Sequence, residues 1–160
     1  MAAIGKSNDM EFLQVSLKRC NGRVAALSVV GSLLFAFAAP VYAQDATTAD
    51  GVFTTAQAER AQAIYDRSCA SCHGATLGGG ASAPPLMGFP FTSFWTGKNL
   101  GELNDVLHTM PADNPGSLTD QQYADLIALI LDKNAYPAGD TELPADGAVL
   151  AGITISPAAQ

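Results

Sequence analysis

Between Tyr123 and Leu131 the apolar residues recur at helical spacing. Tyr123, Leu126, Ile127, Ile130 and Leu131 share one face, with Asp120, Asp125 and Asp132 mostly outside it. Thr119 precedes this run and Gln122 stands three residues on, the spacing of a capping box, so Thr119 caps a helix. A second helix is predicted over Ala56 to Arg67, which holds strong helix formers and no Gly or Pro. Its inward stripe is Ala61 and Tyr65, four apart, flanked by Ile64. Thr54 or Thr55 can cap it, Thr54 with Gln57 three residues on and Thr55 with Glu59 four residues on. A shorter helix starts at Asn99 or Gly101, runs through His108, and stops at Thr109-Met110-Pro111.

Breakers divide these helices. Gly74 to Gly80 reads as loop, and the two prolines of Ala83-Pro84-Pro85-Leu86 give a stiff, extended segment. Phe89, Phe91, Phe94 and Trp95 follow within seven residues, too many rings for a short segment to bury against itself, so they are expected to pack on another apolar body. Ala112 to Leu118 is a loop with a Pro115-Gly116 turn. Prolines and glycines return from Tyr136 onward. The tail from Asp146 is expected to be partly disordered or draped on the surface, although its VLAGITI core could form a short strand.

The front of the chain is patterned differently. Val24 to Ala39 is an uncharged run of 16 residues behind Lys18, Arg19 and Arg23, and it ends at Pro40 and the small-residue site Val41-Tyr42-Ala43. That order is a secretory signal, with cleavage expected after Ala43. The alternative is a retained anchor. Crossing a bilayer takes ~20 apolar residues, and Val24–Ala43 reaches that length only if Pro40, Tyr42 and the flanking residues all count. The chain thus divides into a cleavable signal at 1–43, a flexible lead-in at 44–52, a packed domain at 53–143 and a C-terminal tail at 144–160.

Charge narrows the choice of partner. Residues 44–160 carry four basic side chains against thirteen acids. Such a surface repels nucleic acid, which needs basic side chains against phosphate. It either favours partners with a positive face or serves solubility alone. There is no phosphate-binding glycine loop, since Gly78–Gly80 lacks both the preceding strand and the following lysine.

Cleavage would remove Cys20 and leave Cys69 and Cys72 as the remaining thiols, within Cys69-Ala70-Ser71-Cys72-His73. The C-x-x-C-H order reads as a covalent c-type haem attachment: two thiols in one turn for the two vinyl groups, then His73 as proximal iron ligand. The competing readings are weaker. A dithiol redox motif wants a βαβ setting, a zinc site wants a second ligand pair where the chain offers only His108, and a plain disulfide leaves His73 unexplained. For a sixth iron ligand the candidates are Met87, His108 and Met110. Met87 lies only 14 residues after His73, directly behind the rigid prolines, whereas Met110 lies 37 residues on, with ample reach. His108 and Met110 are two apart, so on a helix only one of them can point at the iron. Pro84 could accept a hydrogen bond from the far nitrogen of His73. The rings of 89–95 could wall the cofactor, with the Trp95 indole N–H on a propionate.

CASCH, the APPL of 83–86 and the TMPADNPGSLTDQQYADLIALIL of 109–131 resemble the class I c-type cytochromes. More narrowly, they are similar to the single-haem cytochromes and cytochrome domains that serve quinoprotein (PQQ) alcohol dehydrogenases. The resemblance spans roughly residues 53–143. It implies an all-α cytochrome c fold, with helices packed around one covalently bound haem c. It places thioether bonds at Cys69 and Cys72, axial iron ligands at His73 and Met110, and the histidine's partner at Pro84. It also places Ala61 where glycine is usual, at a helix crossing with Tyr65, Tyr123, Leu126 and Ile127. The implied function is that of a periplasmic one-electron carrier rather than an enzyme, working between an exported dehydrogenase and an oxidase or cytochrome of the respiratory chain. The alternatives are a cytochrome subunit held permanently in a dehydrogenase or oxidase complex, membrane-anchored if the signal is retained, and an open-iron enzyme or gas sensor.

Overall fold

The structure is a computed structural model that describes residues 46–158. The signal expected at 1–43 lies outside the described residues. Among the described residues no helix is long and apolar enough to cross a membrane.

The architecture is mainly helical with one small sheet. β1 (Ala46–Thr47) and a 3-10 turn (Thr48–Asp50) lead to α1 (Thr55–Ser68) and the single turn α2 (Ala70–His73). Next come α3 (Phe89–Trp95), α4 (Leu100–Leu107) and α5 (Asp120–Lys133). α6 (Gly147–Leu150) and β2 (Ile153–Thr154) close the chain.

The helix starts follow from their caps. Of the two threonines open to the role, Thr54 caps α1, its hydroxyl accepting from Gln57 N at 3.1 Å. α4 starts from Asn99 through a reciprocal box with Glu102 (2.9 and 3.0 Å), and α5 from the Thr119–Gln122 box (3.3 and 2.9 Å). Each box satisfies two backbone donors that a helix start would otherwise leave open.

α1 and α5 make the largest contact between elements. Ala58, Ala61 and Tyr65 of α1 are buried there, with Ala61 fully so, and the small side chain lets the two backbones close up. α5 is buried all round from Tyr123 to Leu131, not along one face. Asp125, expected mostly outside the apolar face, is therefore only 2% exposed. It is tolerated because Arg60 of α1 grips it with two hydrogen bonds of 2.8 Å and Gln121 adds a third at 2.9 Å. Burial pushes the Asp125 carboxyl up, but hydrogen bonds from Arg60, Gln121 and Gln57 outweigh it and hold the group below the usual carboxylate range. Arg60 also reaches Glu142 at 3.0 and 3.2 Å, tying in the segment after α5.

The lead-in departs from expectation, while the tail forms the short strand that VLAGITI offered. The lead-in and the tail join each other: β1 and β2 pair in parallel, Ala46 opposite Ile153 and Thr47 opposite Thr154. Thr48, in the supposedly flexible lead-in, has zero exposure, and its hydroxyl lies 3.0 Å from both the N and the Oγ of Ser156. The tail is not draped on the surface, because Leu150, Ile153 and Ile155 are all fully buried. Ile155 exchanges backbone hydrogen bonds of 2.8 Å with Gly97 and Lys98 at the α3–α4 turn, and Tyr136 donates to Ser156 O at 2.7 Å. The reason is physical: Ile153 and Ile155 alternate with Thr154, the period of a half-buried strand, and that strand has a partner only because residue 46 returns to it. Just upstream, Gln57 is fully buried and meets Leu143 twice, donating to its carbonyl at 2.9 Å and accepting from its N–H at 2.8 Å.

Candidate functional site

The cysteine motif hangs from the end of α1. Cys69 N–H closes that helix on Tyr65 O at 2.8 Å, and Cys72 and His73 then bond back to Cys69 O at 3.1 and 3.0 Å. The pentapeptide is thereby wound into a single turn, α2. Gly74 at φ +79° ends it, and Tyr65 Oη pins the exit by donating to Gly74 O at 2.6 Å. Cys69 is half-buried and Cys72 exposed, each an unbridged thiol. Burial, with the neighbouring Cys72 second, pushes the Cys69 thiol up. A redox dithiol requires a lowered thiol pKa, so this environment opposes that reading. Among the described residues no cluster of three or more His, Cys, Asp or Glu side chains could hold a metal ion, so a zinc site built on this motif would lack its remaining ligands.

The glycine loop folds the prolines back under the histidine. Gly79 N–H bonds to His73 O at 2.8 Å, Gly80 N–H to Ala83 O at 3.0 Å and Leu86 N–H to Leu77 O at 2.8 Å. Gly79 sits at φ +83°, and a Cβ there would fall 2.8 Å from Pro85 N, so the close approach requires glycine. At the end of this loop Pro84 O lies 2.9 Å from His73 Nδ1. A carbonyl only accepts, so Nδ1 is the donor, and in the neutral ring the lone pair then lies on Nε2. Asn134, at the end of α5, braces the next residues. Its amide donates to Leu86 O at 2.9 Å and accepts from Gly88 N at 2.9 Å.

The three sixth-ligand candidates occupy different settings. Met87 is partly buried against the hydrophobic core. His108 has both nitrogens engaged: Nδ1 donates to Asn104 O at 2.9 Å, and Nε2 faces Asp120 at 3.4 Å. Its ring lies 4.0 Å from that of Tyr123. Met110 is 36% exposed while its backbone is held, N–H to Leu107 O at 2.9 Å and carbonyl from Tyr123 Oη at 2.8 Å.

The aromatic run is the helix α3, entered through Gly88 at φ +73° with Pro90 in its first turn. Phe91 and Trp95 face inward, while Phe89 and Phe94 are 82% and 60% exposed. Trp95 makes its ring contacts with Phe91 at 6.2 Å and edge-on with Phe94 at 5.2 Å, not with the cysteine turn. Lys98 places its Nζ 3.6 Å from the centre of the Phe94 ring and 5.0 Å from that of Trp95. Sequence reasoning missed Lys98, Asn134 and the Tyr123 hydroxyl. Lys98 lies beyond the end of α3, past Gly97 at φ +86°, so no helical spacing announces its place over the Phe94 ring.

No curated protein and no solved structure gives a match. Residues 56–130, a little under half of the chain, match the model of the family described as Cytochrome C oxidase, cbb3-type, subunit III, which associates this stretch with cytochromes and respiratory electron transfer.

Proposed function

We propose that this chain is an exported c-type cytochrome carrying one covalently bound haem, a one-electron carrier of the respiratory chain and not an enzyme. The observation that carries the reading is the His73–Pro84 hydrogen bond beside the two thiols of α2. Two thiols on one turn, next to an imidazole whose Nε2 lone pair is free and whose ring is fixed through Nδ1, form the donor set that a covalent haem requires. Among the described residues, Phe89, Phe94, Val106 and Met110 are the large apolar residues left exposed, and they offer surface that suits a flat apolar ring. When bound, the haem supplies an iron that alternates between the ferrous and ferric states.

Cys69 and Cys72 hold the group, and His73 offers Nε2 to the iron in an orientation that Pro84 O maintains. Met110 offers a soft thioether, which favours the ferrous state and raises the potential. Trp95 and its neighbours would help exclude water, and Lys98 stands over the Phe94 and Trp95 rings as a cation. Were His73 and Met110 both to hold the iron, no substrate would need to reach it. A partner takes or gives the electron through a transient contact, and the acidic surface selects partners with a positive face. A quinoprotein dehydrogenase as donor and an oxidase or cytochrome as acceptor remain the partners this reading names. The family match favours a second arrangement, in which the chain is a bound subunit of an oxidase-type complex, since that family's name describes a subunit.

The test is expression with export and haem-maturation machinery, then denaturation in acid acetone. Colour is expected to stay with the polypeptide, and to be absent from a C69A/C72A variant. Release of all pigment from the wild-type protein would overturn the assignment. Gel filtration of a native extract at high salt separates the two arrangements, a free carrier eluting at its own mass and a subunit with its complex.

A further inference from the structure

Tyr123 does more than fill the core. It is 1% exposed on α5, yet its hydroxyl reaches back thirteen residues to donate to the Met110 carbonyl at 2.8 Å. Packing alone asks only for an apolar side chain at that position. The His108 ring, 4.0 Å away and itself fixed to Asn104 O, limits where the phenol can lie. Met110 N–H is already closed on Leu107 O at 2.9 Å. Both backbone groups of Met110 are thus committed, one to the end of α4 and one to α5, while the residue as a whole stays 36% exposed.

We infer that Tyr123 is a positioning residue that locks the Met110 backbone through its hydroxyl, so that the thioether is presented to the iron and resists displacement. This rests on Met110 being the sixth ligand. Without the hydroxyl the Met110 carbonyl, in an exposed segment, turns to water, and the segment is freed to swing away from the metal. An external ligand that must displace the methionine then competes more easily.

The experiment uses the holoprotein and imidazole as the probe. Tyr123→Phe removes the hydroxyl and keeps the ring. Tyr136→Phe is the matched control, because Tyr136 Oη also donates to a backbone carbonyl, Ser156 O at 2.7 Å, but in the tail. Imidazole titration of the oxidised proteins is expected to show about fivefold tighter binding to Y123F, the factor supplied by one hydrogen bond of ordinary net strength. Y136F is expected to bind imidazole as the wild type does. Unchanged affinity in Y123F, or an equal rise in both variants, would overturn the lock. The weak red band of a thioether–ferric iron bond, read in wild type and in M110A, separates the two levels. If the band is present and lost in M110A, a negative Y123F result defeats the lock alone. If wild type lacks it or M110A keeps it, the Met110 assignment fails and the lock with it.

Discussion

Gln57 is a buried side chain that imitates backbone. It meets Leu143 as a strand partner would, donating at 2.9 Å and accepting at 2.8 Å, and both residues have zero exposure. Gln57→Leu keeps comparable size and removes both bonds to Leu143, along with the lesser one to Asp125, leaving the Leu143 N–H and C=O without partners in a dry site. Each orphaned group costs about 1–3 kcal/mol, so with partial relaxation the variant should lose about 3 kcal/mol. That is a large share of the roughly 5–15 kcal/mol that a domain has in total. In urea, where m is about 1–3 kcal/mol/M, the midpoint should fall by about 1–3 M with m unchanged. The assay is urea unfolding of the holoprotein followed by far-UV circular dichroism. Gln57→Glu supplies a second reading. The introduced carboxylate still accepts from Leu143 N–H but cannot donate to Leu143 O, whereas its protonated form can do both. Its deficit relative to wild type should therefore shrink as pH falls. A loss below about 0.5 kcal/mol in Gln57→Leu, or no recovery in acid for Gln57→Glu, would refute the reasoning.

Two further outcomes follow from the same kind of argument. Asp125 has its pKa lowered in the folded state, so its contribution is fully present above the ordinary carboxylate value of 3.8 and is lost as pH falls through the depressed folded value. Asp125→Asn should cost about 1–3 kcal/mol at neutral pH, discounted because Arg60 is half-exposed, and the gap to wild type should close in acid; urea midpoints across a pH series measure this. Gly79→Ala forces a side chain onto φ +83° and to within 2.8 Å of Pro85 N, a backbone atom that cannot step aside. It should cost about 2–4 kcal/mol and lower the yield of covalently coloured protein, read as the ratio of pigment to polypeptide absorbance.

The long helices were legible because they declare themselves locally. Thr119 with Gln122 and the apolar face from Tyr123 to Leu131 need no tertiary information, nor does the pairing of Cys69 and Cys72 beside His73. The Pro84 carbonyl was also a local inference, since two prolines a short loop away have few places to go. What escaped the sequence depends on returning chain. Asp125 looks like a solvent-facing acid until Arg60 and Gln121 surround it. A short strand was anticipated within VLAGITI, but its pairing with Ala46 and Thr47 at the other end of the described chain was not. α3 was hidden by its own aromatics, whose density spoke of burial while Phe89 and Phe94 in fact face outward. The Tyr123 hydroxyl was invisible for another reason: in a core stripe a tyrosine and a phenylalanine read alike, and only the Met110 carbonyl separates them.

The β1–β2 ladder gives the body a timetable. A chain made from its first residue onward cannot complete that pairing until Thr154 has emerged, and joining points so far apart in sequence is a slow, late event. The turn bearing Cys69 and Cys72 does not wait for it, since its closing bonds, Cys69 N–H to Tyr65 O and Tyr65 Oη to Gly74 O, are all local.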